Sequence, residues 1–503
     1  MSHVRLDEAP LALADLLRIA KGEAGLRLGE NAWRRIDGGH RLLLRLLDSG
    51  EAIYGVTTGL GAAVDTPRER ADLDFQRQIV PGRAAGVGRL ANRLEVRAIL
   101  ATRLAGLAQG RSGISPPVVR ALLAMLEQGI HPEVPLSGSV GESDLAPLAH
   151  LGLGLLGEGW VEFRGERLPA GEALQRCQRA PPPLVGKDGL ALVSANAASV
   201  GLAGLLLAEA DQALEGGLAA LALTCEGLRA NLSPFQPTAA RLRPAPRQAQ
   251  QARVLLRLLE GGELALPGQA RRLQDPLSVR CGAIVQAAAR DAWHGVARAV
   301  EIELAGAGDN PALVSEEAML LANANFDSTH LALACESLGL ALARLAACSA
   351  ERVAKLVSPA SSGLPRFLGR TPGQAGLVGL QRTAAALLAE IGHLANPIPA
   401  YCMPVAERVE DYAGQALACV EKTRGLVRRL RLLAAVELMV AAQAVDLRGD
   451  TRLGAGTARI HAALRARVNT LVEDRPTAPD IERIDQWLGE GELAVLMGVV
   501  GSD

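Results

Sequence analysis

The chain has 503 residues, of which 53 are basic and 54 acidic, so its formal net charge is −1. Such an even balance provides no global field that would recruit nucleic acid or an anionic membrane. Hydrophobic residues make up 49% of the chain but aromatic residues only 2%, so the core must be built from Leu, Ala and Val. This composition favours closely packed helices over sheets.

The N-terminus and the cysteines indicate a cytoplasmic protein. The first ten residues, MSHVRLDEAP, include acidic side chains and no apolar segment of the signal-peptide type. Apolar stretches at 200–228 and 432–445 are interrupted by acidic residues, which favours buried helices over membrane spans. The seven cysteines form no CxxC pair or Cys/His cluster. We therefore expect buried free thiols and no metal site.

The first half of the chain alternates helical patterns with loops rich in glycine. Helical periodicity appears at 11–19 and 32–47, and again across 67–110. Between these lies the loop YGVTTGLG at 54–61, and PGRAAGVG follows at 81–88. In LSGSVGESDLAPLAH at 136–150, small residues let backbone approach backbone or ligand, and Asp144 can cap a helix entered near Pro147. This last stretch predicts a site-building loop that leads into a helix.

The second half is dominated by long Ala/Leu patterns. After a helix at 148–156, residues 157–166 alternate like a small hairpin. We place a domain boundary after residue 197, with an N-terminal domain at 1–197 and a bundle of long helices at 198–503. The periodicity predicts helices at 198–230, 246–260, 277–303, 328–357, 376–393, 409–446, 456–472 and 480–498.

The stretch at 136–150 resembles the signature loop of the histidine and phenylalanine ammonia-lyases, GSVGASGDLAPLAH. Further segments are similar to family motifs in the same order: YGVTTGLG at 54–61, KDGLALVSAN at 187–196, QDPLSVRC at 274–281, GDNP at 308–311, NANFDS at 323–328 and VEDY at 409–412. The resemblance covers nearly the whole chain. It implies an all-α, aspartase/fumarase-like fold, in which a smaller N-terminal helical domain carries the active-site loops. It also implies a homotetramer whose active sites combine loops from several subunits.

The signature loop departs from the family at its centre. In the family, an Ala-Ser-Gly triad cyclises to a methylidene-imidazolone electrophile that turns the substrate amine into a leaving group. Here Gly141 is followed by Glu142, Ser143 and then directly by Asp144, so the Ala has become Glu and the Gly is missing. The nitrogen of that Gly must fold back onto a carbonyl two residues earlier, an approach that a Cβ obstructs. We expect no methylidene-imidazolone cofactor, and we regard Glu142, Ser143 and Asp144 as a degenerate prosthetic-group loop.

The resemblance also assigns roles to residues that match the family motifs. Tyr54 stands where the family has its catalytic base or acid, and Glu410 matches a pocket glutamate that we count with the catalytic residues. Arg280 matches an arginine that anchors the substrate carboxylate by a bidentate contact. Gln274 and Phe326 match further residues of the substrate pocket.

Other positions depart from the family and leave the substrate open. Arg83 takes the place of a substrate-selecting histidine, and thus exchanges a switchable imidazole for a permanent guanidinium. Ser194 aligns with an asparagine that touches the substrate amino group or the prosthetic group, while Asn196 lies two residues further on. Asp327 and Tyr412 each replace a histidine.

These residues predict a lyase that needs no prosthetic group. Arg280 would hold the carboxylate, deprotonated Tyr54 would remove the β-proton, and an amine would depart as the alkene forms. A quaternary ammonium group leaves without an electrophile, and the possible pocket acids Glu142, Asp144, Asp327 and Glu410 suit a cation. In its missing triad the chain resembles the ergothionases, a branch of the family that expels trimethylamine from a betaine of thiol-histidine.

Three alternatives remain open at this point. The chain is a conventional histidine or aromatic amino acid ammonia-lyase if its loop cyclises in some other way. It is a non-catalytic relative if it only binds a small amino acid. It is an assembly partner if it works only together with an active paralogue.

Overall fold

The computed structural model describes residues 2–68, 73–399 and 403–498 and is mostly helical. The helices are α1 (Leu13–Lys21), α2 (Glu30–Ser49), α3 (Leu73–Ile79), α4 (Arg93–Ala108), α5 (Pro116–Gln128), α6 (Leu145–Leu155), α7 (Ala170–Arg176), α8 (Asp188–Val193), α9 (Ala197–Leu228), α10 (Pro237–Leu242), α11 (Gln248–Leu259), α12 (Leu277–Arg280), α13 (Gly282–Ala305), α14 (Thr329–Leu356), α15 (Pro359–Ser362), α16 (Val378–Leu394), α17 (Ala416–Leu447), α18 (Ala455–Arg465), α19 (Ala478–Gly489) and α20 (Glu492–Met497). The predicted all-α class is confirmed.

Short strands form four small sheets within the described part of the chain. They are β1 (Ser2–Leu6), β2 (Ala24–Leu28), β3 (Val87–Leu90), β4 (Ile130–Pro132), β5 (Pro135–Ser137), β6 (Trp160–Phe163), β7 (Glu166–Pro169), β8 (Ala312–Val314) and β9 (Met319–Leu321). β1 and β2 are parallel, and the antiparallel pairings are β3 with β5, β4 with β6, β6 with β7, and β8 with β9. The predicted hairpin corresponds to β6 and β7, whereas β1, β2 and β3 were predicted as coil or helix.

The chain divides into two compact units that are each discontinuous in sequence. The first consists of Met1–Leu205, Val296–Ala334 and Ile398–Glu421, and the second of Leu206–Gly295, Cys335–Pro397 and Lys422–Asp503. The boundary that we placed after residue 197 stays a prediction, because compactness does not test which segments fold together.

In the first unit, α4 is buried along most of its length and packs against α1, α2 and α5. Its start is fixed by a capping box in which the Asn92 side chain accepts from Glu95 N and the Glu95 carboxylate accepts from Asn92 N. The apolar end of α2 continues into the loop that follows it. Together they form a buried apolar cluster of Leu42, Leu43, Leu46, Leu47, Ile53, Val56 and Leu313. Because Ile53 and Val56 lie on the two sides of Tyr54 in sequence, the cluster anchors the chain before and after that residue.

The second unit contains a buried ion pair between its long helices. The Glu437 carboxylate, on α17, accepts hydrogen bonds from the Arg352 and Ser349 side chains of α14 and from the Thr224 hydroxyl of α9. Arg352 and Glu437 are 1% and 0% exposed. Because every oxygen of the carboxylate has a donor, this pair is satisfied rather than a buried unpaired charge.

Several predicted helix limits are wrong. The helix expected from residue 409 begins at Ala416, because Gln415 directly before it has a φ of +57°, which does not occur in a right-handed helix. The helix expected at 456–472 ends at Arg465, and the one expected at 480–498 is interrupted by Gly491, whose φ is +76°. Part of the predicted helix at 67–110, residues 69–72, lies outside the described residues.

Two helical stretches among the described residues are long and apolar enough to pass a membrane-span test, Asp188–Leu228 and Thr329–Leu356. The apolar window of the first is wholly buried inside the protein and that of the second is half-buried. Core helices pass the same test, so these stretches carry no membrane assignment. Of the cysteines, Cys225, Cys335 and Cys419 are buried, as expected, whereas Cys177, Cys281 and Cys348 are only half-buried and Cys402 lies outside the described residues.

Candidate active site

A cavity of about 690 Å³ opens in the first unit, where several loops converge. Its wall combines the loop after α2, the loop before β3, the signature loop, α8 and the loops before α14 and α17. The lining residues are Tyr54, Leu60, Gly61, Arg83, Glu142, Ser143, Leu145, Leu190, Ser194, Asn310, Ala324, Phe326, Asp327, Ala406, Val409, Glu410, Asp411 and Tyr412.

Tyr54 faces this cavity from a loop that is held at both ends. The Gly61 N–H donates a 2.8 Å hydrogen bond to the Tyr54 oxygen. Next to Tyr54, the Gly55 carbonyl accepts from the buried Gln76 amide at 2.7 Å. A backbone donor therefore fixes the position of the phenol oxygen at the cavity wall.

Gln76 joins the Tyr54 loop to the start of α8. Its amide oxygen accepts from Gly189 N at 3.0 Å and from Leu190 N at 3.3 Å. Gly189 is needed for this approach, because a Cβ there would lie 1.9 Å from the Gln76 carbonyl oxygen. The glutamine thereby connects two walls of the cavity by three hydrogen bonds.

The signature loop is pinned from three directions. Ser328 Oγ donates to the Gly141 carbonyl at 2.9 Å, Gln415 N donates to the Val140 carbonyl at 2.9 Å, and Asp144 N donates to the Ala195 carbonyl at 2.7 Å. Ser143 has a φ of +65°, a left-handed conformation that is uncommon for a residue with a Cβ. The loop therefore has a single, heavily restrained path past the cavity.

Asp144 behaves differently from the prediction. It stands at the N-cap position of α6, but its side chain makes no hydrogen bond to that helix. Its carboxylate instead accepts from Ser199 N at 2.7 Å, from Ser199 Oγ at 2.8 Å and from Ser139 Oγ at 2.8 Å. Asp144 thus caps the first turn of α9. It is fully buried and does not line the cavity, so its assignment as a pocket acid is wrong.

Among the acids of the cavity wall, Glu142 has a pKa that is clearly shifted from its ordinary value. Gly414 N donates to its carboxylate at 2.8 Å, and its backbone forms an antiparallel bridge to Asp327. Burial raises the pKa of Glu142 to about 7, and the neighbouring carboxylates of Asp327 and Glu410 add to that rise while the Gly414 hydrogen bond opposes it. Near neutral pH this group therefore exchanges a proton readily.

Asp327 is held by the residue that opens α14. Its two oxygens accept from Thr329 N at 3.1 Å and from Thr329 Oγ1 at 3.0 Å. The Thr329 hydroxyl also contacts the hydroxyl of Tyr412. Both oxygens of Asp327 thus have donors, which fix the position of its carboxyl group at the cavity wall.

Arg83 is the one basic side chain among the described residues of the cavity wall. Burial lowers the pKa of its guanidinium, while the proximity of Tyr54 and Glu410 works in the opposite direction. Four acids line the same wall: Glu142, Asp327, Glu410 and Asp411. The cavity is therefore rich in carboxyl groups, with a single compensating cation.

Most residues singled out from the sequence meet at this cavity. Nine of them line it: Tyr54, Arg83, Glu142, Ser143, Ser194, Phe326, Asp327, Glu410 and Tyr412. Asn196 lies behind the wall, where its amide donates to the Phe326 carbonyl at 2.8 Å. Gln274 and Arg280 belong to the second unit and are not lining residues.

Sequence reasoning missed three residues that shape the site. Asp411 and Asn310 line the cavity, and both stand inside motifs that matched the family, so a closer reading of VEDY and GDNP would have found them. Gln76 carried no such signal, because its partners at Gly189 and Leu190 lie more than a hundred residues away in sequence.

Known proteins resemble the chain over nearly its full length. Residues 11–466 match the family model described as aromatic amino acid lyase. A histidine ammonia-lyase of Anaeromyxobacter dehalogenans is 38% identical over 98% of this chain and 100% of the relative.

Solved structures agree with this similarity. The ergothionase of Treponema denticola, in complex with desmethyl-ergothioneine sulfonic acid, has a TM-score of 0.92 and 30% identity, covering 98% of this chain and 99% of that one. The tyrosine aminomutase of Streptomyces globisporus has a TM-score of 0.93 and 29% identity, covering 99% and 98%. The fold, the motifs and these matches agree that the chain belongs to the aromatic amino acid lyase family.

Proposed function

We propose that this protein is a carbon–nitrogen lyase that eliminates an amine from an α-amino acid or its betaine without a methylidene-imidazolone group. The observation that carries the proposal is the path of the signature loop. Asp144 follows Ser143 directly and caps α9, while Glu142 projects a carboxyl group into the cavity.

The residues of the loop do not fit the prosthetic group. Cyclisation would require the nitrogen after Ser143 to reach the carbonyl carbon of Glu142. That nitrogen belongs to Asp144 and donates to the Ala195 carbonyl at 2.7 Å, and the Asp144 side chain is tied to Ser139 and Ser199. A ring closure would have to break these contacts together, so we route no step through the group.

The proposed reaction is a β-elimination carried by side chains. The oxygen of Tyr54 takes the β-proton, the electrons of that C–H bond form the C=C bond, and the electrons of the C–N bond leave with the amine. The Gly61 N–H stabilises the phenolate before the transfer. Glu410 lines the same cavity and, like Tyr54, raises the pKa of the neighbouring Arg83 guanidinium; it remains our second catalytic assignment.

A quaternary ammonium is the leaving group that this chemistry suits best, because it departs as a neutral tertiary amine and needs no activation. The four acids of the cavity wall support a cationic substrate group. The ergothionase of known structure, whose ligand is a desmethyl-ergothioneine sulfonic acid, is a relative consistent with such a substrate.

We also propose that the enzyme works as a cytoplasmic homotetramer in which a neighbouring subunit supplies Arg280 and Gln274 as carboxylate anchor and pocket residue. Apolar side chains beside them support a covered surface, since Leu273 is 88% and Leu277 64% exposed in the single chain. Exposed leucines of this size are typical of subunit interfaces.

A conventional histidine ammonia-lyase is the second candidate. It is favoured by the relatives of that name, including the one at 38% identity from Anaeromyxobacter dehalogenans. The two candidates differ in the amine that they release.

The deciding experiment offers histidine, the common aromatic amino acids and their trimethyl betaines to the wild type and to Tyr54→Phe. Ammonia and trimethylamine are followed separately. We expect trimethylamine from a betaine, and its loss in Tyr54→Phe. Ammonia from a plain amino acid would support the conventional enzyme instead, and binding without any turnover would support a non-catalytic relative.

A further inference from the structure

We propose that Glu142 and Asp327 share one proton in the resting enzyme, and that Glu142 releases it when the cationic group of the substrate enters the cavity. This assigns to Glu142 a role in selecting a cationic substrate. The inference rests on the proposed function for the identity of the substrate, but the shared proton itself does not.

The backbone brings the two carboxyl groups together. Glu142 and Asp327 are paired by an antiparallel bridge between the signature loop and the loop before α14, and their side chains are within hydrogen-bonding reach. Two carboxylates at this distance cannot both be ionised without strong repulsion, so one of them retains a proton. The pair is thus a carboxylic acid that donates to a carboxylate.

The partners of each group decide which one holds the proton. Both oxygens of Asp327 accept hydrogen bonds from Thr329, one from its N–H and one from its hydroxyl. Glu142 accepts from Gly414 N through Oε1, which leaves its second oxygen to carry the proton towards Asp327. Burial and the nearby carboxylates raise the pKa of Glu142 to about 7, in agreement with this assignment.

Further charged groups lie around the pair of Glu142 and Asp327. Asp327 and Glu410 face Glu142 directly, and both favour its protonated form. Behind the loop, the buried Asp144 lies close to Glu303, whose pKa burial also raises to about 7. The remaining titratable groups of the cavity are Tyr54, Arg83, Asp411 and Tyr412.

A cation that enters the cavity changes this balance. A quaternary ammonium has no N–H group, so it can neither lose a proton nor donate an N–H hydrogen bond. The cavity therefore stabilises it through its charge. Its field favours the ionised form of Glu142, and the proton passes to the solvent. A neutral molecule of the same size offers no such field and leaves the proton in place. The pair therefore favours permanent cations over neutral ligands.

Infrared difference spectroscopy of the full-length enzyme tests the proton without requiring turnover. At pH 6 we expect a protonated-carboxyl carbonyl band in the wild type that Glu142→Gln loses and Asp411→Asn retains, beside the band of Glu303, which both variants keep. Asp411→Asn is the matched control, because it neutralises another acid of the same wall. Saturating tetramethylammonium chloride should remove the band, whereas tert-butanol or sodium chloride at equal concentration should not.

The outcomes separate this inference from the proposed function. A wild type without the band at pH 6 overturns the shared proton, and a band that persists at the highest tetramethylammonium concentration overturns its release by a cation, even if trimethylamine is released from a betaine. A band that behaves as described upholds it even if no betaine is turned over.

Steady-state kinetics with a betaine that is turned over provides the second readout. The KM of the wild type should fall as the pH rises from 6 to 8, up to about tenfold per pH unit below the pKa of the pair. The KM of Glu142→Gln should not vary with pH and should exceed that of the wild type at pH 8. A pH-independent KM in the wild type contradicts the inference.

Discussion

The side chain of Gln76 donates to the carbonyl of Gly55 at 2.7 Å, beside the tyrosine that we assign as the base. The same amide accepts from two N–H groups at the start of α8. A single buried side chain therefore sets the distance between two walls of the cavity.

Removing this link should impair catalysis more than folding. Gln76→Ala leaves a carbonyl and two N–H groups without their partner, which costs about 1–3 kcal/mol of stability. Displacement of the Tyr54 oxygen from its position relative to the substrate should reduce kcat by about 10- to 100-fold. Amine release and thermal unfolding measure the two effects. Gln78→Ala is the matched control, since Gln78 is exposed on the same helix; an equal loss of kcat in both variants would refute the positioning role.

The acid at position 142 should make stability depend on pH in a defined direction. The pKa of Glu142 rises from its ordinary value of 4.5 to about 7 on folding, so between these values the native state holds a proton that the unfolded chain has lost. Its contribution to stability is therefore complete below about pH 4.5, falls as the pH rises and levels off above about pH 7.

Glu142→Gln removes this titration, because the amide remains neutral. The difference in Tm between the variant and the wild type should be smallest near pH 4.5, grow in favour of the variant up to about pH 7 and then stay constant. Thermal unfolding at several pH values measures this difference. Asp411→Asn, which neutralises another acid of the same wall, is the matched control. A difference that does not depend on pH contradicts the raised pKa.

Asp144 should be important for stability although it does not line the cavity. Asp144→Ala would leave the Ser199 N–H and the hydroxyls of Ser139 and Ser199 without their acceptor in a buried place. We expect a loss of about 2–4 kcal/mol, measured by denaturant unfolding. The exposed Asp65→Ala serves as the control, and comparable stability of the two variants would show that the α9 cap is dispensable.

The loop chemistry predicts the mass of the mature chain. Because Glu142, Ser143 and Asp144 do not fit the cyclised group, the intact protein should have the mass of its translated sequence. Mass spectrometry of the denatured chain measures this directly. A chain lighter by two waters would mean that the loop does cyclise and would favour the conventional ammonia-lyase.

Much of the fold and part of the site could be predicted from the sequence. Long Ala/Leu periodicity predicted the helices, and short motifs led to Tyr54, Phe326 and Glu410, because local sequence fixes which loop a residue belongs to. The pattern of residues 409–415 continues that of α17 and predicts helix, whereas the φ of +57° at Gln415 separates these residues from α17. Asp144 was misplaced because its partner Ser199 is distant in sequence and only tertiary structure brings the two together.

Asp144 both follows Ser143 directly in the signature loop and caps α9, and this combination bears on how such a loop evolves. A glycine inserted after Ser143 would restore the spacing of the family triad, but it would push the carboxylate one position along the chain and away from α9. The first mutational step towards the triad would then lower stability before any new chemistry appeared. Selection would act against this less stable intermediate. The hydrogen bonds of Asp144 therefore oppose a return from the arrangement at residues 142–144 to the family triad.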